Sequence, residues 1–276
     1  MTEAITPSRC FFIPDGNQLV PQPIARGPWG MTMHGRLFGG LAAREIERLR
    51  EDDPELACTR LTVELFRSAP IEPVSVSHRV IRSGRRIMVV EATVMQRGEA
   101  VGQGKAVLLR RSQQPPGTHP VTPHWDVPTP HEMGEPSARL GTRRFEAPWD
   151  SWNVTSRADT MQGLRGGLWM RENQPLVEGE PLTPLIRIAM AADLVSPVGN
   201  SSTEGLGFIN ADYTIYLGHE PRGEFIGIQP YGHLSEDGIA VAQCVAHDLE
   251  GPIGFLATTA VANSMSRSNE GMPPRR

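Results

Sequence analysis

The sequence predicts an α+β protein built as two similar halves, and three observations carry that prediction. A helix-periodic segment followed by alternating, strand-like segments occurs once in residues 34–110 and again in residues 182–262. A proline-rich stretch, residues 113–136, lies between them with seven prolines and three histidines and neither helical nor strand period. Repetition of the pattern at roughly 150 residues is too long for a solenoid and suits a tandem duplication. The expected organisation is a first half over residues 1–112, a linker over 113–140 and a second half over 141–276, with a disordered tail from about residue 266.

The first helix is expected over residues 34–50, entered through glycines. Leu37, Phe38, Leu41, Ala42, Ile46 and Leu49 recur at helical spacing, while Arg44, Glu45, Glu47, Arg48 and Arg50 fill the other face. Strand-like runs follow at 61–67, 74–81, 86–95 and 100–110, with turns at Ser83-Gly84-Arg85 and at Gln96-Arg97-Gly98-Glu99. Their apolar and polar alternation fits a sheet with one face buried. In the second half, residues 143–174 supply the opening strands and residues 182–195 a helix that Ser196-Pro197 stops. Strands are then expected at 207–217, 224–230, 239–247 and 252–262, with turns at Asp237-Gly238 and at Asp248 to Gly251.

Composition narrows the function classes. A hydrophobic fraction of 39% with 21% charged residues describes a globular protein, and no apolar run is long enough to span a bilayer. The first eight residues lack a basic segment followed by an apolar one, so no secretory signal is expected. Cys10, Cys58 and Cys244 are odd in number and far apart, which fits neither a disulfide framework nor a zinc site and suits a reducing cytoplasm. A formal charge of −4 gives no general pull toward nucleic acid or anionic lipid. The linker histidines come with no Cys or carboxylate pattern, so no metal is expected there. P-loop, GxSxG and HExxH patterns are all absent, which argues against an ATPase, a serine hydrolase and a zinc hydrolase.

Several short motifs, in this order and spacing, resemble those of acyl-CoA thioesterase II, a double-hotdog family. They are Phe38-Gly39-Gly40 at the helix start, Phe66-Arg67-Ser68-Ala69-Pro70 closing a strand, and the two first-half turns. Ala191-Ala192-Asp193 on the second helix and Asn210-Ala211-Asp212 at a strand start complete the likeness, which covers about residues 27–110 and 165–262. The resemblance implies a tandem hotdog, two antiparallel sheets each wrapped around a long helix. It implies hydrolysis of fatty acyl-CoA without a cofactor, with the acyl chain between helix and sheet. By analogy it also implies a dimer of such chains.

The family's working group is an Asp, a Thr or Ser, and a Gln. Matched by motif, the Asp falls on Asp193, the Thr or Ser position on Asn210 and the Gln position on Thr259. Asp193 would activate water while Asn210 and Thr259 position it. Neither partner has the reach of Gln, so Thr258 or Asp212 is a further candidate near the substrate. His34, Gly39 and Gly40, around the first helix start, complete the expected substrate contacts. Each has a plainer reading: His34 as a structural residue, the glycines as close helix packing, Asn210 as a strand-start residue and Thr259 as an ordinary strand former. Glu45 and Glu64 offer a first-half acid site, although Glu45 reads as part of a solvated face. Arg60, Arg67, Arg82, Arg85 and Arg86 would form a basic rim for CoA phosphates if they pointed the same way. Two alternatives to hydrolysis stand: an acyl-CoA or acyl-carrier binding protein, and a hotdog hydratase or dehydratase. The latter expects a His on the second helix, which has none.

Overall fold

A computed structural model describes residues 9–51, 53–137, 147–157 and 166–263. The expected tail from about residue 266 lies outside them. An N-terminal hairpin, β1 (Phe12–Asp15) and β2 (Gln18–Pro21), comes first and was not read in the sequence. Helix α1 (Arg36–Arg50) buries Leu37, Phe38, Leu41, Ala42 and Ile46, while Arg48 and Arg50 sit in its last turn, where cations complement the helix dipole. The meander β3 (Leu56–Leu65), β4 (Ser75–Ser83), β5 (Ile87–Gln96) and β6 (Glu99–Arg110) then wraps this helix. The β5–β6 turn is made by Arg97 and Gly98, both at positive φ.

The linker is not simply extended. Among its described residues it carries no strand, but a four-residue helix, α2 (Pro130–Met133), lies in it, and Trp125 is buried. The Trp125 ring stacks on His247 at 5.7 Å between centroids, and Trp169 Nε1 donates to the Pro128 carbonyl at 3.2 Å. An apolar linker residue therefore docks on the second half, burying surface that an extended linker would leave wet.

The second half opens with β7 (Trp149–Val154) and β8 (Gly167–Glu172). The expected helix over 182–195 is broken in two. Helix α3 (Pro184–Ala191), N-capped by Thr183 Oγ1 accepting from Ile186 N, passes through a 3-10 turn (Ala192–Leu194) into α4 (Val195–Asn200). Pro197 does not stop the helix. It lies in the first turn of α4, where its missing N–H removes no intrahelical bond. A short hairpin of β9 (Ser201–Ser202) and β10 (Gly205–Leu206) leads to β11 (Phe208–Asn210), β12 (Asp212–Leu217), β13 (Phe225–Glu236), β14 (Ile239–Asp248) and β15 (Gly251–Ala262).

The two expected sheets are joined as one. Its strand order is β4-β5-β6-β3-β12-β15-β14-β13-β8-β7, with β11 also pairing β15, and every pairing is antiparallel. The seam between halves is β3 against β12, where Tyr213 opposes Val63 and Ile215 opposes Leu61. Both helical layers pack on the same large core, which runs from Phe11 to Leu256. The three cysteines are buried and free. No helix among the described residues is long and apolar enough to cross a membrane.

Candidate active site

Where α1 begins beside the 3-10 turn, a cavity of about 250 Å³ opens between the halves. Its described walls are mainly apolar: Trp29, Met33, Phe38, Leu65, Ile209 and Val261. His34, Asp193 and Asn210 bring polar groups to it. Asp193 is buried, at 6% exposure, inside the helix break. A buried carboxylate is costly without partners. Two side chains supply them: Asn210 Nδ2 donates to Asp193 Oδ1 at 2.8 Å, and His34 Nδ1 lies 3.2 Å from Oδ2. One partner comes from β11, the other from the segment leading into α1, so both halves hold the acid. Gly35 stands beside the group: a β-carbon there would meet Asp193 Oδ1 at an ordinary 3.5 Å and a Leu65 methyl more tightly, at 3.1 Å.

Behind this group sits a buried cation that sequence reasoning passed over. Arg36, in the first turn of α1, forms an ion pair with Glu172 of β8, and its guanidinium lies 4.3 Å from the ring centroid of Trp149. Trp149 in turn meets His34 edge-on, with centroids 5.8 Å apart. Burial pulls the Arg36 pKa down to about 9, against the charges of Asp193 and Tyr213, which raise it. The only sequence signal for Arg36 was its place one turn before Gly40 on a helix start.

The remaining predicted residues lie elsewhere. Thr259 does not face Asp193: its Oγ1 donates to Asp212 Oδ2 at 2.6 Å and its N–H to Asp212 Oδ1 at 2.9 Å. Thr258 Oγ1 is occupied by the Asp212 carbonyl at 2.7 Å. These three form a separate cluster on the β12–β15 pair, and none lines the cavity. Gly39 and Gly40 serve helix packing instead. A β-carbon on Gly39 would lie 2.1 Å from Tyr213 Oη, and one on Gly40 would lie 2.8 Å from Met190 Cγ. Glu45 is buried rather than solvated, paired with Arg44 and Arg48 and 3.4 Å from His78 Nδ1. Glu64 faces Asp212 across the seam, and burial, aided by that neighbouring charge, raises its pKa. The basic rim does not assemble. Arg67 lines the cavity near the end of β3, whereas Arg85 and Arg86 flank Arg110, which pairs with Leu56 at the strand's other end. Ten residues of strand put roughly 30 Å between these ends.

Residues 25–126 match the acyl-CoA thioesterase N-terminal domain, and residues 118–261 match the acyl-CoA thioesterase C-terminal domain. The chain belongs to the acyl-CoA thioesterase family. No curated protein matches it. Among solved structures, a candidate thioesterase from Novosphingobium aromaticivorans superposes with a TM-score of 0.71 at 17% identity, covering 92% of this chain and 99% of that one. An acyl-CoA thioesterase II from Mycobacterium marinum gives 0.59 at 18% identity, covering 83% and 90%. A protein with a hot dog fold from Alicyclobacillus acidocaldarius gives 0.64 at 18% identity, covering 91% and 94%. At these identities the likeness is one of fold, and the acyl-CoA thioesterase assignment rests on the two domain matches.

Proposed function

We propose that this acyl-CoA thioesterase family member hydrolyses acyl-CoA at the cavity between its halves, with Asp193 as general base. The observation that carries the reading is a buried carboxylate, fixed by His34 and Asn210, in a cavity with apolar walls. Each carboxylate oxygen has two lone pairs, so a water can still bind beside either partner. Asp193 takes a proton from that water while the water oxygen adds to the thioester carbonyl. The N-terminal end of α1, where Gly35 lines the cavity, favours the negative charge that develops on the carbonyl oxygen. When the tetrahedral intermediate collapses, the C–S bond breaks and the CoA sulfur leaves with the proton held by Asp193. The products are a carboxylic acid and free CoA.

Asn210 stands where the family has Thr or Ser, and in this reading it orients the acid. His34, expected as a substrate contact, holds the other oxygen of the acid, while Thr259, expected to position the water, bonds Asp212. A second reading, binding of acyl-CoA without hydrolysis, is favoured by one observation: the Thr259 hydroxyl is spent on Asp212. Release of free CoA from an acyl-CoA panel separates the two. Hydrolysis predicts turnover that falls about a hundredfold or more in Asp193→Asn. Binding of the panel with no CoA release by the wild type would establish the second reading instead.

A further inference from the structure

We infer that the acyl group this site accepts is short, and that Phe38 sets the limit. The inference rests on the proposed function for one point, the position of the thioester carbonyl at Asp193. From there the cavity has a wet side and a dry side. Trp29 and Val261, at 39% and 53% exposure, mark the mouth together with the exposed Arg67. Met33, Phe38 and Ala69 form the floor, each no more than 5% exposed. A polar carrier leaves through the mouth, so the acyl group points toward the floor.

Beyond the floor, close packing narrows the space at several points. Along α1, Phe38 lies one helical turn past His34, a rise of about 6 Å. Its ring abuts β6, where a β-carbon on Gly102 would come within 3.3 Å of it. One turn further on, a β-carbon on Gly104 would fall 2.4 Å from Ala42 Cβ, so the helix backbone and sheet are already in contact. In the second half, Gly199 of α4 is pressed against Ala242 of β14 in the same way, at 2.5 Å. Between the helices, Gly39 meets Tyr213 Oη and the Ala189 carbonyl. At these points helix and sheet, or helix and helix, are in contact and leave no room for a chain to pass. A volume of 250 Å³ also falls below the roughly 300–1,000 Å³ of typical small-molecule pockets. About one helical turn of depth suits acetyl to butanoyl groups; Phe38→Ala would add space toward Ala42 and no further.

Two measurements test this. The first is kcat/KM for CoA release across acetyl-, butanoyl-, hexanoyl-, octanoyl- and palmitoyl-CoA. The wild type should lose about tenfold or more between butanoyl and octanoyl, and Phe38→Ala should raise the octanoyl-to-butanoyl ratio by about tenfold. Phe38→Leu, a milder cut, should move the ratio the same way by less, which covers the case in which the Ala variant does not fold. Palmitoyl-CoA hydrolysed as efficiently as butanoyl-CoA would overturn the limit. The second is calorimetric binding of non-hydrolysable S-alkyl-CoA thioethers of the same lengths to the wild type. Affinity that falls beyond the butyl thioether upholds the limit even if no acyl-CoA is hydrolysed, in which case only the hydrolase reading fails. Affinity that is flat or rises to the longest chain, or no binding at any length, overturns it.

Discussion

Asn210 on β11 donates its side-chain amide to Asp193 Oδ1 at 2.8 Å, so a strand residue fixes an acid that sits in a helix break. Removing that donor should leave the acid in place but free to turn. Asn210→Ala is expected to lower kcat by roughly tenfold to a hundredfold with a smaller change in KM, since misorientation alone costs rate. Steady-state kinetics with butanoyl-CoA would check it; an unchanged kcat would remove Asn210 from the site.

Gly39 tests the contact between the two helices. An added methyl would meet Tyr213 Oη at 2.1 Å and the Ala189 carbonyl at 2.8 Å. Tyr213 is fully buried and has little room to retreat. Gly39→Ala should therefore destabilise the protein by about 1–3 kcal/mol, read as a lower urea midpoint at unchanged slope.

Glu180 ties the second half to α1. Arg44 donates to both of its carboxylate oxygens, at 2.5 Å each, and these bonds hold the Glu180 pKa below the usual range against the opposing effect of burial. A carboxyl lowered by folding stabilises above its unfolded pKa, near 4.3, and that stability is lost as pH falls through the lowered value. Glu180 is about a third exposed, so solvent screening keeps the contribution small. Glu180→Gln should cost about 0.5–1 kcal/mol at pH 7, and the gap from wild type should close below about pH 4. Urea unfolding at the two pH values would measure both.

The thiols should be inert while the chain is folded. Burial pushes Cys58 up to about 12 and also raises Cys244 and Cys10. An aromatic disulfide reagent at pH 8 should find none of them in the native protein and all three after denaturation.

Much of this architecture was legible because it is local. Alternation located the strands from β3 to β6 and from β12 to β15, and Arg97-Gly98 and Asp237-Gly238 form turns whose residues all have positive φ. The break at Asp193 was not legible. Ala191 and Ala192 favour continued helix, and the turn forms where Asp193 meets His34 and Asn210, residues far away in sequence. Pro197 misled for a related reason, since a proline that ends one helix can equally sit in the first turn of the next. Within the site, motif matching named Asp193 and Asn210, and the fold brings the two side chains within 2.8 Å. Motif matching could not show that His34 joins them, because that contact crosses between the halves. Thr259 follows the alternation of β15 onto the exposed face, and Asp212 takes up its hydroxyl.

The pairing of β3 with β12 has a consequence for how the chain is made. Strand β3 ends at residue 65 and its neighbour begins at residue 212, so the first meander keeps an unpaired edge until most of the polypeptide has left the ribosome. An open edge of that kind invites pairing with the wrong strand. Closing so long a loop is also slow compared with forming a hairpin. Folding of the first half during synthesis is therefore a waiting state, completed only when β12 arrives.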